Sequence, residues 1–257
     1  MAPARDFEEQ PIAPVSGETI ERVLSLVSHE LRTPMTSLQG AIELLQSHSL
    51  QDSQEIEALL RLAANNSDRL ACLIETILIW SQLTYHESPL FQQHCNGEQI
   101  FQEVVAELAP LAAEQQIEMQ TAITEPLPLF ADRYFLNRAL FYIVHNALKF
   151  SPQGSSIRLT TTVVTSTDSP AVNHCSLARP FGLFMIEDQG MGIPAELIEK
   201  VFQPFFQVDA SDRRSHQGLG LELAICRQIV HRHRGQVWAE SRLGKGSTFY
   251  IALPLAV

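Results

Sequence analysis

The chain has 257 residues, enough for one large domain or two modest ones. A hydrophobic content of 45% with 18% charged residues is that of a globular protein and excludes a disordered chain. The net charge of −11 argues against a nucleic-acid binder, which needs clustered Lys and Arg to meet a phosphate backbone.

Residues 1–17 lack a hydrophobic signal core and read as a disordered lead-in. From Ile20 onward apolar residues fall at 20, 24, 27, 31, 38, 41 and 45, with Pro34 filling the remaining step. That alternation of fours and threes predicts a helix packed in a left-handed bundle, with Thr19 or Ser16 as its cap. A polar turn, SHSLQDSQE, leads to a second helix with Ile56, Leu59, Ala63, Asn66, Leu70, Leu73, Ile77 and Trp80 on its seam. Residues 18–84 thus form an antiparallel helical hairpin. Two helices bury little alone, so the hairpin predicts a homodimer closed as a four-helix bundle.

After a polar linker over 85–97 the periodicity changes, and 98–257 reads as one α+β sandwich. Its expected elements are a helix at 98–115, a strand at 117–123, a Pro-rich turn and a helix at 132–150. Strands at 157–165 and 181–188 follow, separated by a loop of turn formers, then a helix at 219–234 and strands at 236–241 and 246–255. Cys72, Cys95, Cys175 and Cys226 are too scattered for zinc and read as reduced thiols. No stretch approaches the ~20 apolar residues of a membrane span, so a cytoplasmic chain without a membrane segment is expected.

The chemistry concentrates in SHELRTPMTSL. His29 stands two residues from both Val27 and Leu31, which at ~100° per residue turns it away from the buried stripe. Taken alone, an exposed histidine on a bundle helix reads first as a plain surface residue. Its neighbours add to it: Glu30 could orient or deprotonate the imidazole, and Thr33 lies one turn later. Pro34 removes a backbone N–H and should bend the helix just beyond. The segment resembles the phosphoacceptor box of the sensor histidine kinase family, HE or HD followed by LRTP. The resemblance implies that His29 is phosphorylated, that Glu30 assists as the acid and that Thr33 positions water for dephosphorylating the partner.

Downstream boxes follow in that family's order. HNALKFSP (145–152) resembles the N-box of the ATPase fold shared by histidine kinases, type II topoisomerases and mismatch-repair ATPases. It implies Asn146 as the Mg²⁺ ligand, Lys149 on the phosphates and Phe150 beside the adenine; an amide oxygen suits that hard cation. EDQGMGIP (187–194) resembles the DxGxG box, implying Asp188 on the adenine amino group and close backbone at Gly190 and Gly192. VFQPFFQVD (201–209) resembles the phenylalanine-rich box, whose Phe202, Phe205 and Phe206 read as lid-anchoring core. GLGLELAICRQIV (218–230) resembles the second glycine box, with Gly218 and Gly220 leaving room for phosphates at a helix start. GKGSTFYIALPL (244–255) resembles the closing strand, Gly244 and Gly246 making a tight turn. The resemblance covers about residues 18–255.

Three positions depart from the pattern: Tyr142 for a second N-box Asn, Gln207 for an Arg, and Glu222 for the last Gly of the second glycine box. Arg213 or Arg214 would then supply the missing positive charge. The family implies ATP and Mg²⁺ as cofactors, a homodimer, and a response-regulator receiver domain as partner. The function expected is autophosphorylation of a histidine and transfer to an aspartate. The alternatives are mainly a receiver phosphatase using Glu30 and Thr33, or a non-catalytic dimeric scaffold with a degenerate ATP site. The chain would then be cytoplasmic, either soluble or the cytoplasmic part of a longer sensor.

Overall fold

A computed structural model describes residues 17–47, 52–85, 89–123, 126–165, 175–177, 180–208 and 218–256. Residues 1–16 of the expected lead-in, most of the loop between the two middle strands, and Arg213 and Arg214 lie outside these residues. The chain divides into two compact units, 1–73 and 74–257.

In the first unit, α1 (Gly17–Gln46) continues through Pro34, and α2 starts at Ser53 and runs to Tyr85. Asp52 opens α2, its carboxylate accepting from the Gln54 N–H at 2.8 Å. Thr19 lies inside α1 rather than at its cap. Val27, Leu31, Pro34, Leu38, Ala41 and Leu45 face inward on α1, as do Ile56, Leu59, Ala63, Asn66, Leu70 and Leu73 on α2. Leu24, expected on the seam, is 60% exposed. At the one polar seam position, the Asn66 amide donates to Ser37 Oγ across the hairpin at 3.3 Å. A polar pair inside an apolar seam fixes register, because any slip leaves an amide without its partner.

The last turns of α2 belong to the second unit and bury a different face: Thr76, Ile79 and Leu83 rather than Ile77 and Trp80. The unit continues with β1 (Gln93–Asn96), α3 (Gly97–Glu114), β2 (Glu118–Ile123), β3 (Pro128–Ala131) and α4 (Arg133–Phe150). It ends with β4 (Ser156–Val164), β5 (Phe181–Glu187), α5 (Glu222–Arg232), β6 (Gln236–Arg242) and β7 (Gly246–Pro254). Five strands form one sheet in the order β2-β4-β5-β7-β6, parallel only at β2–β4. Helices α3, α4 and α5 pack together on one face, where Phe101 meets Phe184 edge-on at 5.5 Å. The opposite face carries its own apolar cluster, in which Trp238 stacks on Tyr250.

The linker and the Pro-rich turn hold strands that were not expected. Within 85–97 and 124–131, β1 and β3 pair antiparallel as a separate ribbon, His94 opposite Phe130. Four-residue strands as polar as QHCN show no alternation to read. Asn96 ends β1 and caps α3, accepting from both the Glu98 and Leu127 N–H groups. Asp132 caps α4 through the Tyr134 and Phe135 N–H groups, and its own N–H donates to buried His233 Nε2 at 2.9 Å. No helix among the described residues is long and apolar enough to cross a membrane.

Candidate functional site

The structure groups the expected residues into two sets, one in each unit. In the first, His29 is exposed on α1, its side chain 71% accessible, with Nδ1 3.6 Å from Glu30 Oε1. Glu30 itself is buried, and its other oxygen, Oε2, accepts from the Arg69 guanidinium on α2 at 3.2 Å. A carboxylate out of water needs such a counter-charge. With Nδ1 turned to Glu30, the Nε2 lone pair of His29 is the one left for an electrophile. Thr33, one turn on, donates its hydroxyl to the His29 carbonyl at 3.2 Å.

In the second unit, α4, β5 and the start of α5 carry the other set. Asp188 follows β5 directly and is tied to β7 twice: its N–H donates to the Ser247 carbonyl at 2.8 Å, and Oδ1 accepts from the Ser247 N–H at 3.1 Å. The same oxygen accepts from the Gly190 N–H at 2.8 Å. Burial pushes the Asp188 carboxyl above its ordinary range, against those two hydrogen bonds, which stabilise the anion. Gly190 packs against the Phe150 carbonyl so tightly that a Cβ would stand 2.7 Å from it, which brings the N-box end and the DxGxG loop together. Asn146 is buried on α4. The Lys149 ammonium sits 5.3 Å over the Phe150 ring, and a Cβ on Gly218 would lie 3.3 Å from that ammonium. Gly220 takes a positive φ of 66° and gives its carbonyl to the Phe205 N–H. Gly192 also has a positive φ, 70°, with the Arg242 carbonyl in the space a Cβ would need.

Residues 131–257 match the family described as histidine kinase-, DNA gyrase B- and HSP90-like ATPase, and residues 19–85 match the His Kinase A phospho-acceptor domain. An acceptor hairpin followed in one chain by that ATPase decides the assignment, since the topoisomerase and chaperone branches do not account for the hairpin. The chain belongs to the two-component histidine kinase family. It is 31% identical over 231 residues to the sensor histidine kinase WalK of Bacillus subtilis, covering 89% of this chain and 35% of WalK. To the adaptive-response sensory kinase SasA of Thermosynechococcus vestitus it is 29% identical over 242 residues, 91% of this chain and 60% of SasA. The chain therefore spans less than two thirds of each of these relatives. Among solved structures, histidine kinase ThkA in complex with response regulator protein TrrA aligns with a TM-score of 0.64 and 25% identity, over 93% of this chain and 62% of ThkA. Full-length ShkA in complex with AMPPNP aligns at 0.62 and 25%, over 92% and 46%.

Against the histidine kinase pattern the three departures acquire local explanations. Tyr142 is buried in α4, and its hydroxyl lies 3.4 Å from Thr76 Oγ1 near the end of α2, so the ring bridges two helices. Gln207 donates its amide to the Gly218 carbonyl, tying the phenylalanine-rich box to the second glycine box. Glu222 is the first residue of α5, where the helix dipole favours a carboxylate. Its charge is felt by His145 on α4, raising an imidazole pKa that burial pulls down more strongly. Of the phenylalanines, Phe202 is buried edge-on against Phe249, and Phe205 meets Trp80 of α2 edge-on at 6.3 Å. Sequence reasoning missed Arg69, Thr76 and Ser247. It also read Gly246 only as a turn, whereas the Asp188 carbonyl occupies the place of its Cβ. The GxGST spacing after DxGxG is the one signal that pointed to that clamp.

Proposed function

We propose that this chain phosphorylates His29 from ATP and passes the phosphoryl group to an aspartate of a response-regulator receiver domain. The observation that carries the reading is an exposed imidazole whose Nδ1 faces a buried carboxylate while Nε2 stays open. In the transfer, an Nε2–P bond forms as the bond from the γ-phosphorus to ADP breaks, and the Nδ1 proton moves to Glu30. Asp188 accepts from the adenine amino group, Phe150 lies beside the ring, and Lys149 with the backbone at Gly218 and Gly220 meets the phosphates. Gly190 and Gly192 keep the adenine loop close. The buried amide of Asn146 fits a hard cation: its oxygen would hold Mg²⁺, which otherwise relies on phosphate and water oxygens. When bound, that ion would neutralise phosphate charge. Transfer brings the γ-phosphate to His29 of the same chain or of a second copy.

A homodimer is supported by apolar side chains left in water on the hairpin. Leu24, Met35 and Ile42 share one stripe of α1, and Leu60, Ile74 and Leu78 one stripe of α2, each exposed by 41% or more. A receiver partner is supported by the likeness to ThkA, whose structure includes TrrA. We place the chain in the cytoplasm, the compartment where ATP and receiver domains meet.

The test is incubation with Mg²⁺ and γ-labelled ATP. An acid-labile, alkali-stable label that disappears in His29→Ala is expected; a label that persists in that variant puts the acceptor elsewhere. Gln207, standing where an Arg is usual, favours a second reading, a receiver phosphatase using Glu30 and Thr33. Under it, the protein would dephosphorylate a receiver yet take up little label, and Thr33→Ala would abolish the phosphatase activity alone.

A further inference from the structure

We infer that Arg69 is a positioning residue for phosphoryl transfer, holding Glu30 in the orientation that serves His29. The inference rests on His29 being the acceptor. The two carboxylate oxygens are committed differently: Oε2 lies 3.2 Å from Arg69 Nη2, and Oε1 lies 3.6 Å from His29 Nδ1. A glutamate has three side-chain torsions, and on an exposed helix face it would spend its time in water. Here it is 6% exposed although its neighbour His29 is open, and the group holding it inward is a guanidinium from the other helix, 39 residues away. Arg69 is itself two-thirds buried, its side chain 33% accessible, so it is held by the seam. The Asn66–Ser37 bond, one turn along α2, fixes the register that brings Arg69 level with Glu30.

The present 3.6 Å between Nδ1 and Oε1 exceeds a hydrogen bond by about half an ångström, a gap that closes in a reacting complex. Anchoring one oxygen leaves the other on the histidine side to take the Nδ1 proton as the Nε2–P bond forms. Once Glu30 is neutral, Arg69 still bonds Oε2, so the side chain does not swing away before the proton is returned.

The experiment compares wild type, Arg69→Met, Arg69→Lys, Glu30→Gln and the Glu30→Gln/Arg69→Met double variant. Each is checked by thermal melting and assayed for initial labelling rate against ATP concentration. Misplacing a reacting group by an ångström costs up to about a hundredfold. Arg69→Met is therefore expected to lower the maximal rate by about ten- to a hundredfold, with the KM for ATP within twofold. Arg69→Lys is expected to recover part of the loss. In the Glu30→Gln background the Met substitution should change the rate less than twofold, because the residue it acts through is already gone. A full additional loss in that background, or a wild-type rate in Arg69→Met, overturns the inference. Absence of label on His29 in the wild type overturns both this inference and the reading it rests on.

Discussion

Replacing Asp188 with Asn is expected to separate nucleotide recognition from folding. The carboxylate Oδ1 is committed to the Gly190 and Ser247 N–H groups, so Oδ2 is the atom that would face an adenine amino group. In the Asn variant one of two arrangements must hold. Either the amide oxygen keeps both backbone bonds and the NH₂ opposes the adenine NH₂, or the amide turns over and opposes the two backbone donors. The first loses a hydrogen bond to a charged acceptor, worth roughly 1.5–3 kcal/mol, or about ten- to a hundred-and-fiftyfold in Kd. Folding should change little, because a neutral amide is cheaper to bury than a carboxylate that burial already pushes toward protonation. The assay is calorimetric titration with ATP and with GTP, beside a thermal melt. ATP affinity within twofold of wild type, or a lost affinity that comes with an unfolded second unit, would falsify the assignment of Asp188 as the adenine reader.

Four further outcomes follow from the same geometry. His233 must be neutral to accept from the Asp132 N–H while its Nδ1–H donates to Ile229, and burial lowers its pKa. Its folded value lies below the unfolded ~6.5, so its contribution is complete above that pH and is lost as pH falls, at up to about 1.4 kcal/mol per pH unit. Melts from pH 7.5 to 5 should show this loss, and His233→Asn should flatten it. Gly246→Ala forces a Cβ onto the Asp188 carbonyl at a φ of 91°, and the strain of that backbone alone, about 1–3 kcal/mol, should lower Tm by several degrees along with ATP affinity. Gln207→Arg restores the family's cation, and a Kd for ATP about tenfold lower is expected; no change would mean that this side chain does not face phosphates. Tyr142→Phe removes the hydroxyl near Thr76, so Tm should fall slightly, by about 0.5–1.5 kcal/mol of stability, with ATP affinity within twofold.

The seam of the hairpin was legible because helical periodicity reports burial directly, down to Asn66 as the polar exception. It stopped reporting after Leu73, where α2 passes into the second unit and buries Thr76, Ile79 and Leu83: a helix covered from a new side obeys a new phase. The boxes named the candidate nucleotide residues by type and order. They did not give the side chains that hold those residues, because Arg69 and Ser247 lie 39 and 59 positions from their partners and no local pattern links them. The ribbon of β1 and β3 stayed hidden for a related reason, since each four-residue strand exists only through the other. Tyr142 and Gln207 looked like losses when judged against the family and are contacts when judged against their neighbours.

The clamp on Asp188 also has a bearing on synthesis. The strand that fixes this carboxylate, β7, is the last among the described residues and sits between β5 and β6 in the sheet. Until Ser247 has left the ribosome, β5 and β6 both have an open edge and the Asp188 loop lacks both of its bonds to β7. A nascent chain can complete its acceptor hairpin early, yet the loop after β5 is clamped only once β7 has been made. Chains cut short before β7 would therefore carry the hairpin but lack the strand that ties down the Asp188 loop.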